Sequence, residues 1–269
     1  MKNNTLYCMI VSGDFMSDFD IKNKVVQSND LIQLSKWNMS VVPFKIFKAL
    51  ISCIDTKKPP ENNTVEISRK ELGDLLEIKE NDEYMKRQVK SLQKQIVELD
   101  LKNGNTMMLS IVPKVIYPAK QSNDNIQCTF SEELMPYLID LKEFFLQYDV
   151  AALKKFKSKY GLILYEYLLS RERQERQSEH KYSISVENLR RLTDTETKFK
   201  NFKELNRKVI SQAVVDINGA GVEFLAVAKN NGRRGVKATH IEFTLRKRTS
   251  YKETEFDVVD HPEWIRKSI

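Results

Sequence analysis

Apolar residues in this chain recur at two spacings, one near 3.6 and one of two, and the order of these spacings predicts the architecture. Helical spacing runs through residues 29–37 and 40–54; in the second stretch Val42, Ile46, Leu50 and Cys53 share a face. Residues 57–63, with Pro59 and Pro60, form a loop. Residues 64–67 alternate as a short strand. Ser68 suits an N-cap and Glu71, three positions on, completes a capping box, so Leu72, Leu75 and Leu76 predict a short amphipathic helix. A polar break at 79–82 leads into a longer helix over 82–99, with Met85, Val89, Leu92 and Ile96 as its core stripe. Asn103-Gly104 marks a hairpin turn. Strands are expected near 106–117 and 125–130, with a bend at 121–124.

The same succession returns 117 residues later. Ile67-Ser68 matches Ile184-Ser185, Leu72 and Leu75 match Leu189 and Leu192, and Met85 and Leu92 match Phe202 and Val209. Lys86 and Lys90 match Lys203 and Arg207, and extended runs follow at 222–228 and 238–245. Strand, short helix, turn, longer helix and hairpin is the winged-helix order, in which the longer helix enters a DNA groove. The expected fold is α+β, two tandem winged-helix domains related by an internal repeat. The expected boundaries are a mobile arm over 1–27, a first domain over 28–130, a second over 131–248 and a tail over 249–269. Residues 132–141 and 151–173, between the two copies, have helical patterns.

Charge sharpens this picture. The chain carries a net +7 with a pI of about 9.1, but the excess is local. Residues 198–248 hold 12 Lys and Arg against 4 Asp and Glu, so the other 218 residues sum to −1. A concentrated positive stretch is the footprint of a nucleic-acid surface. In the second long helix, Phe202, Leu205, Val209, Ala213 and Ile217 form the apolar stripe. Lys200, Lys203, Arg207 and Lys208 fall opposite, around Glu204 and Ser211. Lys198 and Lys200 lie near the helix start, where backbone N–H groups favour phosphate. The following hairpin carries Lys229, Arg233, Arg234 and Lys237 around Gly232 and Gly235, as a wing gripping the DNA backbone or minor groove would. The first long helix offers Lys86, Arg87, Lys90 and Lys94, with Glu83 and Glu98 flanking them. Its competing role is self-association, with 107–112 serving either as core or as a dimer sheet.

Other chemistries lack their residues. No G-x-x-x-x-G-K-[ST] stretch is present, as a P-loop would need. His180, His240 and His261 are not at metal-ligand spacing. Tyr160, Tyr165 and Tyr167, conceivable nucleophiles of a nicking enzyme, sit in an apolar helix that argues for packing. Three scattered cysteines, Cys8, Cys53 and Cys128, point to buried or idle thiols in a reducing cytosol. No signal peptide or stretch of about 20 apolar residues is found. The expectation is a cytoplasmic, non-enzymatic protein with no cofactor, no metal and no membrane association.

Several motifs resemble one family. Residues 157–170 read K-S-K-Y-G-L-I-L-Y-E-Y-L-L-S, preceded at 145–153 by F-L-Q-Y-D-V-A-A-L. Residues 202–218 form a basic helix ending in Asp216-Ile217-Asn218, 232–245 read G-R-R-G-V-K-A-T-H-I-E-F-T-L, and 26–34 read V-Q-S-N-D-L-I-Q-L. Together they resemble the theta-type plasmid replication initiators over about residues 25–248. The resemblance implies double-stranded DNA as the partner: repeated origin sequences (iterons) bound by a monomer that starts replication, and an operator repressed by a homodimer formed through the first domain. It further implies melting of neighbouring DNA and recruitment of the host replication initiator, helicase and primase. The family's reading cations fall on Asn206, Arg207 and Lys208, where Asn206 departs from the usual basic residue. The alternative is a winged-helix transcriptional repressor without an origin role.

Overall fold

A computed structural model describes residues 17–78, 81–101, 103–172 and 179–248. In chain order its elements begin β1 (Lys24–Ser28), α1 (Asn29–Gln33), β2 (Ser35–Lys36), α2 (Val41–Ser52), β3 (Thr64–Ile67), α3 (Arg69–Leu76) and α4 (Asp82–Gln93). Then come β4 (Ile96–Asp100), β5 (Thr106–Ser110), β6 (Lys114–Ile116), β7 (Ile126–Thr129), β8 (Phe145–Asp149) and α5 (Lys159–Glu172). The chain continues with β9 (Glu179–Ser185), α6 (Val186–Leu192) and a long helix, α7, running through Phe202–Leu205, Asn206–Ile210 and Ser211–Ala220. The hairpin β10 (Phe224–Asn230) and β11 (His240–Lys247) follows. Two compact units result: residues 17–31 with Asn38–Lys154, and Ile32–Trp37 with 155–248.

In the first unit the capping box forms as its sequence requires. The Ser68 hydroxyl accepts from the Glu71 N–H at 3.1 Å, and the Glu71 carboxylate accepts from the Ser68 N–H at 3.3 Å. Asn81 caps α4 by accepting from the Tyr84 N–H at 2.9 Å. Helix α4 buries Met85, Val89 and Leu92. Strands β3, β7 and β6 make an antiparallel sheet with Val65 opposite Cys128 and Cys128 opposite Val115. The core gathers on α2, whose Phe44, Ile46, Phe47 and Leu50 are fully buried; the Phe47 ring meets Phe130 edge-on at 6.4 Å.

Several expectations need correction here. The first long helix stops at Gln93 rather than near residue 99. Val97 and Leu99 are buried while Ile96 is 58% exposed, so period two governs this stretch and Ile96 leaves the core stripe. Strand β4 pairs with β5 around Gly104, whose φ of +84° suits the turn. Residues 17–27 are folded, not a mobile arm. Phe19 and Val25 are buried, β1 pairs with β8, and the Asp18 carboxylate accepts from the Glu66 N–H at 2.7 Å. Residues 1–16 of that arm and the tail 249–269 lie outside the described residues. Finally, residues 131–154 pack in the first unit, with Leu134, Leu138, Leu146 and Leu153 buried. Only a short 3-10 turn, Glu132–Tyr137, stands where a helix over 132–141 was expected, since Pro136 offers no backbone donor.

The second unit repeats the plan. Sheet order β10-β11-β9 corresponds to β6-β7-β3, strand for strand. Ser185 caps α6 by accepting from the Asn188 N–H at 3.0 Å, as Ser68 caps α3. Ile67 and Ile184, Leu72 and Leu189, Leu75 and Leu192, and Leu92 and Val209 are all buried, so the 117-residue repeat is structural. The correspondence also locates the first wing. It is the β6–β7 connection over 117–125, with β4–β5 inserted between α4 and it. Tyr165 stacks among Phe156 at 5.0 Å and Phe224 at 5.9 Å, a core residue as its spacing predicts. The early segment Ile32–Trp37 belongs to this unit: Trp37 is buried, the Gln33 amide donates to Ser170 Oγ at 3.0 Å, and Lys36 pairs with Glu196 at 2.7 Å.

Candidate nucleic-acid interface

The turn between α6 and α7 is built on one side chain. The Arg190 guanidinium donates to the carbonyls of Thr195 at 2.8 Å, Lys198 and Phe199 at 2.9 Å, and Lys200 at 3.3 Å. Four oriented carbonyls suit the fixed fork of a guanidinium. Asn201 then starts α7 by accepting from the Lys203 N–H at 2.8 Å.

Helix α7 is not a uniform α-helix. Asn206–Ile210 forms a π turn, wider than its neighbours. Its fully buried residues Leu205, Val209, Ala213 and Ile217 recur every fourth position. In a straight α-helix such a series drifts about 40° per step; the wide turn takes up part of that drift and keeps the stripe facing the core. Lys203, Arg207, Ser211 and Val215 each lie two positions before a member of this stripe, so they form a parallel row on the opposite side. All four are exposed, as are the neighbouring Glu204 and Lys208, while Asn206 is half-buried.

The far half of α7 is anchored on both sides. The buried Asp216 carboxylate accepts from the N–H groups of Lys157 and Ser158, each at 2.9 Å, and from the Ser158 hydroxyl at 3.1 Å. Ser158 Oγ in turn accepts from the Gly161 N–H at 3.0 Å, so Asp216 and Ser158 together finish the start of α5. A Cβ at Gly161 would stand 2.2 Å from Asp216 Oδ2, so this position has no room for a side chain. Asn218 pairs with the backbone of Ala226, donating to its carbonyl at 2.9 Å and accepting from its N–H at 2.8 Å, and so fastens α7 to the base of the wing. Gly221, at φ +65°, ends the helix in the left-handed conformation expected of a C-cap glycine.

The wing itself is ordered by asparagines. Asn231 accepts from the N–H groups of Thr239 at 2.9 Å and His240 at 3.0 Å, and the Asn230 side chain accepts from the Gly232 N–H at 3.0 Å. Arg233 and Val236 exchange backbone hydrogen bonds around Arg234-Gly235, and Gly235 takes φ +80°. Of the candidate cations in this unit, Lys200, Lys203, Arg207, Lys208, Lys229, Arg233, Arg234 and Lys237 are exposed. Lys198 is exposed as well, but its ammonium pairs with Asp194 at 2.7 Å. Such a surface pair is worth about 0–1 kcal/mol and is readily exchanged for a phosphate.

In the first unit Lys86, Arg87, Lys90 and Lys94 are exposed, Lys94 standing at the C-cap just past the end of α4. The Lys86 ammonium lies 5.7 Å from the centre of the Tyr117 ring, and Arg87 the same distance from that of Tyr84. The Tyr117 hydroxyl donates to Asp82 at 2.8 Å; Arg69 donates to Asp82 at 3.2 Å, to the Lys120 carbonyl at 3.3 Å and to that of Ser122. This cluster ties the wing base to the start of α4. Burial, then the Asp82 acceptor, push the Tyr117 phenol well above its ordinary range. Arg190, Asp216, Asn218 and Asn231 were not foreseen as organising residues. Only the Asp-Ile-Asn motif hinted at two of them.

Among the described residues no group of three His, Cys, Asp or Glu side chains could hold a metal ion, and no helix is long and apolar enough to cross a membrane. Buried His180 stacks on Tyr182, and the His240 ring meets Thr239 Oγ1 at 3.1 Å. His261 lies outside the described residues.

Comparison with known proteins agrees with this architecture. Residues 24–169 match the model described as initiator replication protein, first winged helix, and residues 185–245 match that of the initiator Rep protein, second winged helix. A replication initiation protein of Escherichia coli is 26% identical over 179 residues, which is 64% of this chain and 55% of that protein. The match thus spans about half the length of that relative. The crystal structure of Pi initiator protein in complex with iteron DNA aligns with a TM-score of 0.69 at 18% identity, covering 86% of this chain and 99% of that one. At that identity the likeness is one of fold. With the first family model alone covering over half of its length, this chain belongs to the plasmid replication initiator proteins, a DNA-binding family built on two winged helices.

Proposed function

We propose that this protein recognises direct repeats at a plasmid origin, with α7 reading the major groove and the β10–β11 wing holding the backbone. Helix α4 of the first unit makes a second, weaker contact. Several copies bound along the repeats strain the duplex and favour opening of an adjacent AT-rich stretch. Host replication initiator, helicase and primase then assemble there. A homodimer represses the protein's own gene at an operator, and the monomer starts replication.

The observation that carries this reading is the two-sided construction of α7. One row, Leu205, Val209, Ala213 and Ile217, is wholly buried, while Lys203, Arg207 and Lys208 stand exposed across the helix. The Pi initiator, whose fold this chain shares, has been crystallised with iteron DNA, and the cations of α7 and the wing make the same ligand class the natural one here. Arg207 is the strongest candidate for a bidentate guanine contact.

Two measurements test the proposal. A plasmid bearing the origin but lacking this gene should replicate only when the gene is supplied in trans; failure to rescue would leave a repressor without an origin role. In binding assays, Arg207→Ala should cost about 1–3 kcal/mol and relax discrimination at one base pair. Lys229→Ala or Arg233→Ala should instead lower affinity for all sequences and flatten the dependence on salt by about one contact. Unchanged specificity in Arg207→Ala would refute α7 as the reading helix.

A further inference from the structure

Val215 is the fourth member of the exposed row of α7 and the only one whose side chain neither donates nor accepts a hydrogen bond. It is 65% exposed, whereas α7 buries Leu205, Val209, Ile210, Ala213 and Ile217 and half-buries Phe202 and Val214. A straight-helix projection would carry it away from Lys203 by about 40° for each four-residue step. The π turn at Asn206–Ile210 counters that drift, so Val215 stays on the line of Lys203, Arg207 and Ser211. Its position is also firmly held: the next residue, Asp216, is fixed to the start of α5, and Asn218 is fixed to the edge of β10.

We propose that Val215 reads the 5-methyl group of a thymine in the major groove. This deepens the reading of α7 as the recognition helix and rests on it. Thymine is the one unmodified DNA base that shows a methyl group in that groove, and an apolar side chain is the partner that distinguishes it from cytosine. A rigidly held helix is needed for so small a contact to discriminate, since a loosely placed valine would meet a neighbouring base equally well. The geometry also sets the register. Val215 lies eight residues beyond Arg207, about 12 Å along the helix. At about 3.4 Å of rise per base pair along the DNA axis, and with α7 inclined along the groove, the thymine it reads lies about two to four pairs from the base met by Arg207. The row therefore reads a composite site: a hydrogen-bonded base at Arg207, a neighbouring contact at Ser211, and a methyl at Val215.

The test uses the full chain and duplexes of its repeat in which each thymine is replaced, one at a time, by deoxyuridine, which removes only the methyl. The wild type should lose about fourfold in affinity at one such position. Val215→Ala should bind the unmodified repeat about fourfold more weakly and be indifferent to deoxyuridine at that same position. It should remain sensitive to other changes and keep the wild-type salt dependence, because no cation has been removed. Arg207→Ala should still sense that deoxyuridine, which lies apart from the position it relaxes. If Val215→Ala responds to every deoxyuridine as the wild type does, the inference is overturned while α7 can still be the reading helix. If the wild type does not discriminate the repeat from other DNA, or Arg207→Ala leaves specificity intact, the failure belongs to the underlying reading of α7.

Discussion

Replacing Asp216 by alanine should be among the most damaging single changes in the second unit, although this residue faces away from the proposed DNA surface. Its carboxylate is buried and accepts from two backbone N–H groups and one hydroxyl at the start of α5, all within 2.9–3.1 Å. Hydrogen bonds to a charged group contribute about 1.5–3 kcal/mol each, and a buried donor left without a partner costs about 1–3 kcal/mol. The three bonds are not independent, because the Lys157 and Ser158 amides and the Ser158 hydroxyl share one carboxylate. The expected loss is therefore about 3–5 kcal/mol, at the upper end for a point substitution. Asp216→Asn keeps an acceptor and most of the shape, so it should lose about half as much. Gly161→Ala should damage the same place from the other side, since its new Cβ would stand within 3 Å of the carboxyl group. Urea unfolding of the full chain, with amide hydrogen exchange at Lys157, Ser158 and Gly161 as a local probe, measures both. A loss below about 1 kcal/mol in Asp216→Ala, with unchanged exchange at those amides, would refute the reasoning.

Three further outcomes follow from the same geometry. Arg190→Ala removes the donor to four turn carbonyls and should cost about 1–3 kcal/mol; it should speed exchange at the amides of 195–203 and weaken DNA binding without changing base preference. Tyr117→Phe should free the Asp82 side of the first wing and lower stability by about 0.5–1.5 kcal/mol, seen as a shift of the first unit's urea transition. Burial pushes the Cys128 thiol up to about 12 from an ordinary 9.0, so its contribution to stability is full below about pH 9 and is lost as pH rises towards 12. The urea midpoint should fall across that window less steeply in Cys128→Ala than in the wild type, and native Cys128 should resist thiol reagents at pH 8.

What the sequence made legible was local. The strand over 64–67, the Ser68–Glu71 capping box and the two-sided pattern of 205–217 each rest on residues within a turn or two of one another, and each stands in the structure, whereas Phe202, expected to open the apolar stripe, is only half-buried. The repeat was visible because helix–turn–helix spacing is kept without a gap over Ile67–Leu92 and Ile184–Val209. What escaped was long-range. Strand β1 finds its partner β8 125 residues away, Lys24 opposite Asp149, so residues 17–27 look unpatterned until that pairing exists. Residues 96–100 fit both spacings, and only pairing with β5 selects period two. The π turn likewise cannot be seen on a wheel drawn at a fixed angle. It emerges because a four-residue repeat of buried positions must face one core. Asp216 reads as an acid interrupting an apolar helix until the open start of α5 is set against it.

The two units share one topology, so their difference lies in what the topology displays. The second wing carries Lys229, Arg233, Arg234 and Lys237 within nine residues, whereas the first, over 117–125, carries Lys120 together with Asp124. The first helix engages its cations locally: Lys86 lies over Tyr117 and Arg87 over Tyr84, and the wing base is used to brace Asp82. In the second unit the bracing is done instead by Arg190, Asp216 and Asn218, whose contacts run through the turn, α5 and β10 and leave the exposed row of α7 uninvolved. Separating the residues that hold the helix from those that it displays lets Arg207, Ser211 and Val215 vary with the DNA sequence at little cost to the fold. In the first unit a change at Lys86 disturbs its contact with Tyr117 as well. Sequence discrimination should therefore concentrate in α7, and the first unit should contribute contacts whose strength depends more on salt than on base identity.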